Sequence, residues 1–202
     1  MKIALIGASG NVGSRIVAEL VSRGHQVTGI ARDPDKIAVS TGVTAVKGDA
    51  DDETSLAGIL RGHDAVISSL RFLGSDVNKL LAAVRMAGVK RYLVVGGAAS
   101  LEVAPGQRLL DSPNFPEAYK AEATAGAAFL DVLRAIHDLD WTFFSPAATF
   151  VPGERTGAFR LGTDQLIAND EGSNISYEDY ALALADEIET PKHVKARFTI
   201  GY

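Results

Sequence analysis

Three glycines spaced three apart, Gly7, Gly10 and Gly13, lie in the stretch Gly7-Ala-Ser-Gly-Asn-Val-Gly13. That spacing suits phosphate binding. The first glycine allows a sharp turn off a strand. The second lets backbone approach a pyrophosphate with no Cβ between them, and the third lets a helix pack close to the sheet. Ser9, Asn11 and Val12 fill the turn, and the helix start offers free N–H groups and the positive end of its dipole to an anion. A second chemical signal stands at Arg32. A site for NAD(H) ends its second strand with an acid that holds the ribose 2′-hydroxyl. Here Ala31 and Arg32 occupy that place. An arginine can pair with a 2′-phosphate, which favours NADP(H) and leaves NAD(H) as the alternative cofactor.

Elements must hold these groups in place. Lys2 to Ile6 reads as a buried strand, and Ser14 to Arg23 as a helix with Ile16, Val17, Leu20 and Val21 on its apolar face. Strand, glycine turn and helix are the context that the fingerprint requires; without it, the same glycines fit a tight turn that binds nothing. Further strands are expected at 26–31, 43–47, 64–68, 91–95, 141–145 and 198–200. Helices are expected at 53–60, 77–87 and 117–137, with a last one starting at Ser176. Asp33 before Pro34 reads as a helix N-cap, Gly88 as a left-handed C-cap, and Ser176 with Asp179 as a weak capping box. Residues 102–115 read as a loop, and 159–168 as a short hairpin around Gly162.

The resulting fold class is α/β, a Rossmann-type doubly wound parallel sheet. Residues 1–202 form one NAD(P)-binding domain, with about 146–175 contributing a small C-terminal substrate lobe. In such a sheet, ligands lie over the carboxyl ends of the strands. This places Asp49, Ser68, Ser69, Leu70 and Gly96 with Gly7, Ser9, Gly10, Asn11, Val12, Gly13 and Arg32 in the cofactor site. Asp49 either bonds the adenine amino group or holds its own loop. Ser100 and Tyr119 fall on the nicotinamide side as candidate catalytic residues. Glu154 and Arg155, in a Gly/Pro-framed loop, either fold over the ligand or form a solvated turn.

Composition excludes other classes. The chain has 202 residues, 47% hydrophobic and 22% charged, with net charge −5 and no cysteine. No basic run points to nucleic acid. Disulfides, thiolate catalysis and cysteine metal sites are excluded. The four histidines are scattered, so no metal is expected. No stretch approaches the ~20 apolar residues of a membrane span, and no apolar leader is present. A cytoplasmic protein acting on a small molecule is the expectation, and its oligomeric state stays open.

The glycine turn, Arg32, Gly96-Gly-Ala-Ala-Ser-Leu101, Ser145-Pro-Ala-Ala-Thr-Phe-Val-Pro-Gly-Glu-Arg-Thr-Gly157 and Ile175-Ser-Tyr-Glu-Asp-Tyr-Ala181 together resemble a known group. It is the atypical short-chain dehydrogenase/reductases called NAD(P)H-binding or NADH–flavin reductases, relatives of biliverdin reductase B and of NmrA-like proteins. The resemblance implies a Rossmann fold, bound NADPH and hydride transfer to a flavin, quinone or similar planar acceptor. It departs at the wider superfamily's Tyr-x-x-x-Lys pair. Ala123 stands four residues after Tyr119, and Lys120 projects about 100° away on a helix. Ser100 falls about two positions later than the serine of the biliverdin reductase relatives, and Ala147 or Ala148 replaces their histidine. The missing pair favours a flat acceptor over a ketone. It also keeps open an NmrA-like dinucleotide sensor with little chemistry.

Overall fold

The computed structural model describes residues 1–202. Its elements run β1 (Lys2–Ile6), α1 (Asn11–Ser22), β2 (Gln26–Ala31), β3 (Val43–Lys47), α2 (Glu53–Leu60), β4 (Ala65–Ser68), α3 (Val77–Ala87), β5 (Arg91–Val95), β6 (Glu102–Ala104), β7 (Gln107–Arg108), α4 (Glu117–Arg134), β8 (Asp140–Ser145), β9 (Thr149–Val151), β10 (Arg160–Gly162), β11 (Asn174–Ser176), α5 (Tyr177–Glu189) and β12 (Ala196–Gly201). Eight strands form one sheet in the order β10-β12-β8-β5-β4-β1-β2-β3. All pairings are parallel except that of β10. This is the Rossmann-like α/β fold, and no helix in it is long and apolar enough to cross a membrane.

Parallel strands covered on both faces read as continuous apolar runs. β1 shows the sorting. Ile3 and Leu5 join the layer with Ile16, Val17 and Leu20 of α1 and Ala181, Leu184 and Ile188 of α5. Ala4 and Ile6 join the opposite layer with Leu56 and Leu60 of α2, Leu80, Leu81 and Val84 of α3, and Phe129, Leu130 and Leu133 of α4. Chain progress reverses between β1 and β4, so a crevice opens over their carboxyl ends. Behind it, Phe144 lies between the Tyr180 and Phe198 rings at 4.1 and 3.9 Å. The Tyr180 hydroxyl donates to the Phe144 carbonyl, and burial pushes its pKa well up.

Several expectations need correction. α1 begins at Asn11 rather than Ser14, which brings Gly13 into the helix. Asp33 does take the N-cap position with Pro34 first in the turn, but Pro34–Lys36 is a single 3-10 turn and the Asp33 carboxylate makes no cap hydrogen bond, pairing with Lys36 at 3.1 Å instead. The 102–115 stretch holds the β6–β7 hairpin, and α4 stops at Arg134. Residues 159–168 do not pair with one another as a hairpin. β10 instead pairs antiparallel with β12, Leu161 opposite Ile200, and Gln165 bridges to Glu102. β9 and β11 form a separate parallel pair. Gly88 does close α3 at φ 75°, and the Ser176 hydroxyl accepts from the Asp179 N–H. The Asp179 carboxylate does not return to the cap. It accepts from the Thr156 hydroxyl, the Gly157 N–H and the Tyr202 hydroxyl.

Candidate functional site

The first turn of α1 is built to leave donors free. Asp52, Asp76 and Ser176 cap α2, α3 and α5 with side chains, whereas α1 starts at Gly10 with no side-chain cap and no acid in its first turn. The N–H groups of Asn11, Val12 and Gly13 have no protein acceptor. Gly7 turns off β1 at φ 86°, and a Cβ there would stand 2.2 Å from the Ser69 carbonyl oxygen. A Cβ on Gly13 would stand 2.2 Å from the Gly7 carbonyl oxygen. Strand, turn and helix are thus held closer than any other residue allows. The free N–H groups and the dipole end are suited to an anion.

Two cavities meet at this turn. The smaller, about 530 Å³, is lined by Gly7, Ser9, Arg32, Gly48, Asp49 and neighbours over β1, β2 and β3. The larger, about 840 Å³, runs over β4, β5 and β8 between Phe72, Phe115, Phe150 and Tyr177. Gly10, Ser69, Leu70 and Arg71 line both. The shape therefore has two lobes joined beside the uncapped helix start. A dinucleotide has the same form: two nucleosides joined by a pyrophosphate.

Most expected residues come together here. Asn11, Val12, Gly96, Ser100 and Tyr119 line the larger cavity, and Ser9, Arg32 and Asp49 the smaller. Gly13 lines neither and acts by packing under Gly7. Ser68 also stands apart. It is buried, its hydroxyl 2.9 Å from the Tyr92 hydroxyl, and it lies outside both linings. Side chains alternate along a strand, so Ser68 points into the α2–α4 layer and only Ser69, past the strand end, reaches the crevice. Arg32 is exposed, with no carboxylate in ion-pair range. Asp49 accepts from the Asp51 N–H at 3.0 Å, holding its own loop while it lines the cavity.

Tyr119 is 66% exposed at the mouth of the larger cavity. Lys120 turns away to Glu117 at 3.4 Å, and Ala123 takes the place where a lysine partner would stand. Ser100 lines the same cavity and accepts a hydrogen bond from Arg197 at 3.2 Å. The sequence reading missed Arg71 and Glu122. Glu122 accepts from the Phe72 and Leu73 N–H groups at 2.7 and 3.1 Å, tying the segment after β4 to α4. That seats the Phe72 ring on Gly126 as a cavity wall. The signal for Arg71 was its place directly after Ser68-Ser-Leu70.

The Gly/Pro loop does not cover the cavity. Arg155 forms a forked ion pair with Glu19 on α1, both nitrogens at 2.9 Å, and Gly153 donates to Glu178. The Arg155 guanidinium holds the Glu19 carboxyl below its ordinary range. Glu154 and Arg155 line neither cavity. Pro146, Ala147, Ala148 and Phe150 are the part of this segment that does.

A family model described as NAD(P)H-binding matches residues 7–191. Three solved structures are similar over the whole chain. A Burkholderia pseudomallei protein described as a "putative exported protein" is 47% identical, with TM-score 0.91 and full coverage of both chains. A Bacteroides thetaiotaomicron "putative epimerase" is 44% identical, with TM-score 0.95, over 100% of this chain and 96% of that one. A Streptococcus pneumoniae "putative NADH-flavin reductase" is 39% identical, with TM-score 0.86, over 100% and 99%.

Proposed function

The chain belongs to the NAD(P)H-binding family, and we propose that it is an NADPH-dependent reductase of a flat, conjugated acceptor such as a flavin or a quinone. NADPH, when bound, supplies the hydride. The observation that carries the reading is the larger cavity. It runs past the anion site into an aromatic and apolar slot, with no lysine to assist a tyrosine acid. Phe72, Phe115, Phe150 and Tyr177 give the cavity aromatic walls suited to a planar molecule. Ser100 and Tyr119 are the hydroxyls we assign to proton delivery; those of Ser69, Ser112 and Tyr177 also line the cavity. Reduction of a conjugated acceptor asks less of a positioned acid than carbonyl reduction does. The epimerase description of one similar structure favours different chemistry, so an acceptor panel is the right test. Flavins, quinones, ketones and sugar nucleotides are compared by NADPH oxidation. Strong turnover of a ketone or sugar nucleotide, with flavins and quinones inert, contradicts the reading.

Cofactor preference follows from Arg32. A hydrogen-bonded pair to a charged group contributes about 1.5–3 kcal/mol, one to two decades in affinity. Arg32→Ala is expected to weaken NADPH binding about tenfold to a hundredfold and to leave NADH binding unchanged. Fluorescence titration of both cofactors reads this directly. Equal binding of the two, indifferent to Arg32→Ala, removes the argument for a 2′-phosphate site.

Proton delivery gives a second expectation. Ser100→Ala and Tyr119→Phe should each lower kcat by at most about tenfold, below the 10²–10⁴ of a strong general acid. Steady-state kinetics with a flavin acceptor measure it, and a loss above a thousandfold would point to acid-dependent chemistry instead. The missing lysine also favours a rival reading, a dinucleotide sensor. The open slot beyond the anion site weighs against it.

A further inference from the structure

Bonded to Ser100, but outside the lining of the cavity, is a charged group that the reaction outlined above does not use. Arg197 rises from β12 with only 3% of its side chain exposed. Its Nε donates to Asp164 Oδ1 at 2.8 Å, and its Nη2 donates to the same oxygen. Its Nη1 is left to donate to Ser100 Oγ at 3.2 Å. Asp164 is itself fixed: its carbonyl accepts from the Glu102 N–H at 2.8 Å, and Arg134 of α4 lies 3.5 Å from its carboxylate.

We propose that Arg197 is a positioning residue that makes Ser100 a directed hydrogen-bond donor toward the acceptor in the larger cavity. The proposal rests on the reductase reading of that cavity. A serine hydroxyl has one proton and two lone pairs, and a guanidinium only donates. Once Arg197 occupies a lone pair, the Ser100 proton cannot point back at it. Ser100 Oγ makes no other hydrogen bond in the protein. The cavity is therefore where its proton finds an acceptor. The buried cation also favours negative charge developing on Oγ as that proton is shared, because charges interact strongly out of water. The groups that set this field are Arg197 from β12, Asp164 from the segment after β10, and Arg134 from α4.

The chain has no cysteine, so Ser100→Cys introduces a single thiol that reports the local field without any turnover. Iodoacetamide alkylation against pH gives its pKa. In Ser100→Cys the thiol should titrate about one unit below the ordinary value of about 8.5. Adding Arg197→Gln should return it by about a unit. Adding Asp164→Asn, which removes the counterion and keeps the guanidinium, should lower it further. Identical profiles in all three proteins would overturn the proposal. Should Arg197→Gln fail to melt cooperatively, the Asp164→Asn arm decides alone.

Kinetics supply the second arm. Arg197→Lys keeps a charge for Asp164 but lacks the fork that reaches both partners. It should lower kcat up to about tenfold, leave KM for NADPH unchanged, and cost nothing more in a Ser100→Ala background. A full additional loss in that background, accompanied by a lower Tm, would make Arg197 a structural prop and overturn the proposal. Absence of turnover with every acceptor would instead refute the reductase reading, and the thiol titration would still judge Arg197.

Discussion

Gly13→Ala is expected to weaken NADPH binding by a hundredfold or more and to lower the melting temperature. Helix propensity alone says the reverse, since alanine is better than glycine inside a helix by up to about 1 kcal/mol. Sterics decide the sign. The added Cβ would stand 2.2 Å from the Gly7 oxygen and 3.0 Å from the Gly7 carbon. Both are backbone atoms of the turn that presents the anion site, so neither can rotate away. Either α1 moves out or the turn opens. Both displace the Asn11 and Val12 N–H groups from the junction of the two cavities. Gly58→Ala in α2 is the control, because its Cβ meets nothing within 4 Å, so propensity should win there and raise the melting temperature. Fluorescence titration and thermal melts of the two variants make the comparison. Unchanged NADPH affinity with a higher melting temperature in Gly13→Ala would mean that the close approach is not needed.

Asp179→Ala is expected to destabilise the protein by about 3–5 kcal/mol. Asp179 has no exposed surface and accepts from the Thr156 hydroxyl at 2.6 Å, the Gly157 N–H at 2.8 Å and the Tyr202 hydroxyl at 2.8 Å. Hydrogen bonds to a charged group contribute about 1.5–3 kcal/mol each, not additively, and unpaired buried donors add a penalty. For a chain of this size each kcal/mol moves the melting temperature by about 2–4 °C, so a fall of roughly 6–20 °C is expected. NADPH affinity should hardly change in the protein that remains folded, since the loop this carboxylate ties down lies against α1 and α5. The opposite pattern, a large loss of affinity with an intact melting temperature, would put that loop over the cofactor after all.

The parts of this architecture that are legible in sequence are those with local causes. Apolar runs give β1, β4 and β5, Gly88 ends α3, and Ser176 starts α5, each decided within a few residues. The glycine turn is legible because strand, turn and helix adjoin. What is not legible depends on distant partners. β10 is three residues long and takes its pairing from β12, whose partner Ile200 is far along the chain from Leu161. Nothing local marks Glu19, on which Arg23 and the distant Arg155 meet. The Gly/Pro loop then goes to α1, where composition alone left it free to cover the ligand. Ser68 and Ser69 differ by one position, and only strand alternation separates a core hydroxyl from a cavity wall. Arg197 and Ser100 are 97 residues apart, and no periodicity links them.

If the protein is a reductase, the bound cofactor's reactive end faces a cavity where an acceptor is reduced. Single-turnover oxidation of protein-bound NADPH by saturating flavin, followed by loss of nicotinamide absorbance, tests it most directly. A rate at least ~100-fold above the same reaction in buffer is expected, a modest demand for an enzyme. A rate equal to buffer, with NADPH demonstrably bound and flavins and quinones both tried, would contradict it and leave a dinucleotide sensor.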